Sequence, residues 1–135
     1  PRLLDEGNKQ AATALVIPEF GLKAILYTAT WCDWYLADTR PKMATNCAAA
    51  QKQINRLTNQ GIDTEARVSQ LWTDQAAVDE YIEKFKVIHP VYIDHGNDLF
   101  IDNKISSVPT LVIYKNGHMV NRISDFSSPV NLQSK

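Results

Sequence analysis

The sequence predicts an α/β fold, a central β-sheet that is partly parallel and partly antiparallel with helices packed on it, and three observations carry the prediction. The stretch KAILYTA, residues 23–29, is an unbroken apolar run of strand length, the pattern of a strand buried on both faces. Between residues 43 and 57 the period changes: Met43, Cys47, Ala50, Ile54 and Leu57 recur at steps of four and three, one apolar stripe on a helix. Later, PTLVIY runs into Asn116-Gly117 and returns as HMVNRIS, the strongest short-range hairpin signal in the chain.

The remaining elements fill in around these three. The first dozen residues, PRLLDEGNKQAA, have no clear period and read as an arm or a short helix, and ALVIP reads as a short strand. After the apolar strand, a helix opens at Trp31-Cys32. Pro41 lacks the N–H that a continuous helix would need, so it kinks that helix or splits it, with Asp38 or Thr39 placed to cap a second start. Gly61 ends the helix. EARVSQLW, residues 65–72, alternates as a strand, and Thr73 or Asp74 caps a helix whose Val78, Tyr81, Ile82 and Phe85 share one face. His89-Pro90 breaks it, VYID is a short extended piece, and NDLFIDNKI is a helical turn or two. The order strand, helix, strand, helix, hairpin gives one sheet with helices on its faces. With no repeat, low-complexity tract or linker, residues 1–135 read as one domain: an arm over 1–21, a core over 22–123 and a short C-terminal segment over 124–135.

Composition narrows the function classes. The chain is 44% apolar and 21% charged with a net charge of −1, so charge gives no reason to expect nucleic acid or an anionic membrane as partner. No apolar run is long enough to span a bilayer. His89, His95 and His118 lie far apart without metal-ligand spacing and read as surface or loop histidines, so no metal is expected. No phosphate loop, nucleophile elbow or cofactor motif is present. The first residue is Pro1, the mark of a processed or trimmed chain, so a missing signal peptide carries no information.

Two motifs in sequence bring in a resemblance. ATWC after a buried strand, followed about seventy-five residues later by SSVPTLVIYKNGHMV, resembles the thioredoxin superfamily. In that superfamily the active-site cysteine follows a tryptophan, and a Pro-Thr strand leads into a Lys-Asn-Gly hairpin. HPVYIDHGNDLFIDNKISSVPT is similar to the TlpA-like branch of thiol:disulfide oxidoreductases, which are exported and often face the bacterial periplasm. The likeness spans residues 22–123. It implies a thioredoxin-like fold, thiol redox chemistry on protein or small-molecule thiols and disulfides, no cofactor, and a periplasmic or otherwise exported location. It also implies a cis bond between Val108 and Pro109, with Pro109 against the active-site cysteine and the Val108 backbone free to pair with an extended chain.

Read as chemistry, Cys32 in the first turn of a helix meets unpaired N–H groups and the positive end of the helix dipole, which favour the nucleophilic thiolate. Other features oppose this. Where the family has a second cysteine the chain has Tyr35, so the motif is Cys32-Asp33-Trp34-Tyr35. The Asp33 carboxylate beside the sulfur works against ionisation. The buried acid of thioredoxin falls on Leu26. In a straight helix Cys47 would stand about 22 Å from Cys32, whereas a disulfide needs Cα atoms within about 7 Å. Only a break between residues 38 and 41 that folds the chain back closes that gap, and Cys47 otherwise reads as a small buried hydrophobe.

Trp31, Trp34 and Tyr35 form an aromatic lip around the thiol. With Asp33, Val108 and Pro109 they are the candidate substrate contacts, and residues 34–46 read as an insertion beside the groove. Three readings follow. The first is exchange through Cys32 alone, its mixed disulfide resolved by an external thiol. The second is a binding module that keeps the groove of Pro109, Trp31 and Trp34 without redox turnover. The third is a redox enzyme using a Cys32–Cys47 pair. The oxidoreductase readings require a reachable sulfur beside a cis prolyl bond, and a sulfur sealed beneath neighbouring side chains, or a trans bond well away from it, would overturn them.

Overall fold

The computed structural model describes residues 15–130. Five strands form one sheet in the order β3-β2-β1-β4-β5: β1 Leu22–Thr28, β2 Asp63–Ser69, β3 Val91–Asp94, β4 Thr110–Lys115 and β5 His118–Ile123. β1 runs parallel to β2 and β2 to β3, while β4 is antiparallel to both β1 and β5. The helices are α1 Cys32–Tyr35, α2 Pro41–Asn59, α3 Gln75–Phe85 and α4 Asp98–Asp102, the last preceded by a 3-10 turn, His95–Asn97. Parallel neighbours need a crossover, and α2 and α3 supply the two.

The unbroken apolar run of β1 is explained by its central place. Ala24 and Leu26 face Ala50, Ile54 and Leu57 of α2, together with Leu111 and Ile113 of β4. Ile25 and Tyr27 face the opposite way, toward Val112 and Phe100. The hairpin between β4 and β5 turns through Asn116 at φ 52° and Gly117 at φ 86°, the two left-handed positions that an Asn-Gly turn supplies.

Several elements differ from the sequence reading. Residues 15–18 of the expected ALVIP strand are not a strand: Leu15 and Ile17 pack on the Ile25 and Tyr27 face without pairing to an edge. The preceding arm lies outside the described residues. β2 begins at Asp63 and stops at Ser69, because the Asn97 side chain accepts the Gln70 N–H and turns the chain into a loop where Trp72 takes φ 52°. The second helix starts at Pro41 with Arg40 at its cap, so neither Asp38 nor Thr39 caps it. α3, capped by Asp74, ends before His89-Pro90 because Lys86 adopts the left-handed conformation. His89 is buried and hydrogen-bonded to Gln51, not a surface histidine.

After β5 the chain runs along α2 as an extended strap. Asn46 donates to the Ser124 carbonyl (2.7 Å) and accepts the Phe126 N–H (2.8 Å), while Gln53 accepts the Val130 N–H (3.1 Å). Phe126 and Val130 are thereby buried against the α2 side of the sheet.

Candidate active site: a sealed disulfide between two grooves

The site is built where β1 runs out. Helix α1 lasts only four residues and ends at Tyr35, five residues of turn follow, and Pro41 starts α2 in a new direction. Pro41 suits that first position because its missing N–H is not needed there. The fold-back brings Cys47, in the second turn of α2, to a Cα separation of 6.1 Å from Cys32, and the two form a disulfide. This separation is ordinary for a disulfide. Cys32 is therefore not the lone thiol of the first reading. Nor is it presented to solvent: Cys32 is 0% exposed and Cys47 is 3% exposed.

The cover is specific. Ala29, Cys32 and Cys47 form a small apolar cluster on which Trp31, Leu36, Met43 and Val108 pack. The Val108-Pro109 peptide bond is cis and its loop closes one side of this cluster.

Two grooves flank the covered disulfide. One, of about 900 Å³, lies between the first turns of α2 and the C-terminal strap, with Met43, Asn46, Ser107, Val108, Pro109 and Phe126 among its walls. The other, of about 460 Å³, is walled by Ala29, Trp31, Met43, Leu71, Ile105 and Val108 among others.

The aromatic lip is larger than the sequence indicated. Trp31 donates its indole N–H to the Leu71 carbonyl (2.8 Å) and touches both Tyr35 (6.0 Å between ring centroids) and Trp72 (5.5 Å). Tyr35 and Trp72 also meet, at 5.6 Å, and Trp34 stacks edge-on against Tyr35. Trp34, Tyr35 and Trp72 keep more than half of their surface exposed. Trp72 went unnoticed in the sequence because it reads as the end of a strand. Met43 left a usable signal, standing one helical turn before Cys47 on the same stripe.

Asp33 points away from this lip. Its carboxylate, 8% exposed, pairs with Lys84 of α3 and faces a third cavity with Ala44 and Ala48 of α2, outside both grooves. The lysine supplies the opposite charge that the sequence reading lacked when it set the carboxylate against the sulfur. Beneath the helices, Tyr81 donates to Gln51 (2.8 Å), and Gln51 donates to His89 (2.9 Å). Burial pushes the Tyr81 phenol well above its ordinary value and holds His89 below its own. Among the described residues, no group of three or more His, Cys, Asp or Glu side chains is placed to hold a metal ion.

No family model matches the chain, and no curated protein matches it in sequence. Solved structures do match it. A putative thiol:disulfide interchange protein DsbE from Chlorobium tepidum aligns with TM-score 0.61 at 13% identity, over 78% of this chain and 69% of the other. The chain has a thioredoxin fold. StoA from Bacillus subtilis (TM-score 0.58, 14% identity, 84% of this chain and 78% of the other) has the same architecture. So does a secreted Mycobacterium tuberculosis disulfide oxidoreductase homologous to Escherichia coli DsbE (TM-score 0.59, 9% identity, 84% and 76%). At these identities the thioredoxin likeness is one of fold, and the chemistry rests on the site.

Proposed function

We propose that this protein is a thiol:disulfide oxidoreductase whose redox couple is the Cys32–Cys47 disulfide, in place of exchange through Cys32 alone. The observation that carries the reading is the position of the bond: it joins the opening of the helix after the central strand to α2, against the Val108-Pro109 loop. The several structural neighbours described as disulfide oxidoreductases or interchange proteins support it. An extracytoplasmic location belongs to the same reading, one of those neighbours being described as secreted. No helix among the described residues is long and apolar enough to cross a membrane.

The chemistry needs only a partner dithiol. A partner thiolate attacks one sulfur of the protein disulfide, that S–S bond breaks, and its electron pair leaves on the other cysteine. The partner's second thiolate then attacks the partner sulfur of the mixed disulfide. This closes a disulfide in the partner and releases the second protein thiolate. The partner loses two electrons, the protein gains two, and the partner's thiol protons pass to the protein cysteines or to solvent. Trp31, Trp34, Tyr35, Val108 and Pro109 are the proposed contacts for the partner chain.

The experiment is disulfide transfer to a reduced dithiol peptide. Oxidised wild-type protein transfers one disulfide per chain, whereas Cys47→Ser and Cys32→Ser, each left with a single thiol and no disulfide to give, transfer none. No transfer by the wild type with peptide in excess contradicts the reading. The complete burial of Cys32 does not meet the condition of a reachable sulfur, so the redox reading requires its cover to open, and the same burial favours a second reading: the disulfide is a staple, and the exposed aromatic lip makes the protein a binding module.

A further inference from the structure

We propose that Met43 is the gate of the Cys32–Cys47 disulfide, the side chain whose displacement joins the two grooves into one channel over the sulfurs; this rests on reading the disulfide as a redox couple. The two grooves share three wall residues, Met43, Ser107 and Val108. Met43 and Val108 also belong to the shell packed directly on Ala29, Cys32 and Cys47. The wall that the grooves share is thus part of the cover over the sulfurs, which Trp31 and Leu36 complete.

Two residues of that wall differ in mobility. Val108 is β-branched and leads into Pro109, so few rotamers are open to it. Met43 has three freely turning side-chain bonds and a polarizable thioether that packs acceptably in more than one place. It lies four residues before Cys47, on the same face of α2 and one turn nearer its N-terminus, and packs on the cysteine cluster. It is only half-buried and lines both grooves, so its side chain has open space to enter. When Met43 turns aside, an incoming thiolate reaches a sulfur, the S–S bond breaks, and the pair departs on the other cysteine. The lid sets how often this occurs and leaves the equilibrium between disulfide and dithiol unchanged.

The test is the rate of reduction by excess dithiothreitol in the oxidised protein and two variants, alongside the equilibrium constant of each with the same reagent. Met43→Ala removes the lid and is expected to be reduced about tenfold faster, as for a site otherwise open about a tenth of the time. Met43→Leu keeps nearly the same volume with a stiffer chain and is expected to be no faster than wild type. All three equilibrium constants should agree within about twofold. A Met43→Ala rate within about twofold of wild type overturns the gate. So does a rate gain matched by an equal shift in equilibrium, which would report lost packing in the oxidised state. Failure of the redox reading looks different: glutathione cannot reduce the wild-type disulfide at all, while the dithiothreitol rates still decide the gate.

Discussion

Gln51 stands four residues after Cys47 on the apolar side of α2, fully buried, and its amide is fully used. Its Oε1 accepts from Tyr81, and its NH2 donates to both His89 Nε2 and Asn55 Oδ1 (2.9 Å each). His89 completes the pattern as the neutral ring, with Nδ1–H donating to the Pro90 carbonyl (2.9 Å) and Nε2 accepting. A proton on Nε2 would set two donors face to face. Burial holds the folded-state pKa of His89 below its ordinary 6.5, with the Pro90 hydrogen bond acting in the opposite sense. As pH falls, the unfolded chain therefore takes up the proton first, so the contribution to stability is present above about 6.5 and is lost as pH drops through that value. Urea unfolding at pH about 7.5 and about 5 should show a larger loss of stability in the wild type than in His89→Gln. Equal losses in the two proteins would remove His89 from this role. Gln51→Leu, which strands both the tyrosine hydroxyl and the imidazole, should cost about 2–4 kcal/mol at neutral pH in the same assay.

At the scale of an element, β2 alternates in sequence and yet is buried on both faces. Glu65 and Arg67 look like the solvent side of a half-buried strand, yet both are buried. Arg67 pairs with Glu65, Lys23 reaches the same carboxylate at 2.8 Å, and the Arg67 guanidinium lies 4.6 Å from the Tyr92 ring centroid. One carboxylate thus faces two buried cations, so its removal takes an ion-pair partner from each of them in a poor solvent for charge. Glu65→Ala should destabilise the fold by about 3–5 kcal/mol in denaturant unfolding, well beyond a surface ion pair. A cost below about 1 kcal/mol would mean that these charges are solvated. The break between α1 and α2 works in the opposite direction, since a single residue announced it. Pro41 marked the split in the sequence, but the direction of the second helix depends on how its apolar stripe meets β1, and no local signal encodes that.

For the whole molecule, the architecture was legible because each element carried its own period and each joint its own breaker. The β1 run, the α2 stripe and the Asn116-Gly117 turn all appear where the patterns put them. Long-range pairings were less legible. The Cys32–Cys47 bond requires two helix axes to fold together, and the fourth aromatic of the lip, Trp72, arrives on a distant loop tied by the Trp31 to Leu71 hydrogen bond. The buried His89 was hidden for the same reason, because its partner Gln51 lies 38 residues away on another helix. The C-terminal strap depends on Asn46 and Gln53 capturing backbone groups, which leaves no periodic trace.

The redox assignment is tested most directly by equilibrating the protein in glutathione buffers of graded potential and counting free Cys32 and Cys47 by mass after alkylation. A couple that exchanges electrons with partner dithiols should titrate as one two-electron step at about −270 to −120 mV, the span of exchange-active thioredoxin-fold pairs. A disulfide that stays oxidised until below about −300 mV would instead be a permanent cross-link, and the oxidoreductase account would be wrong.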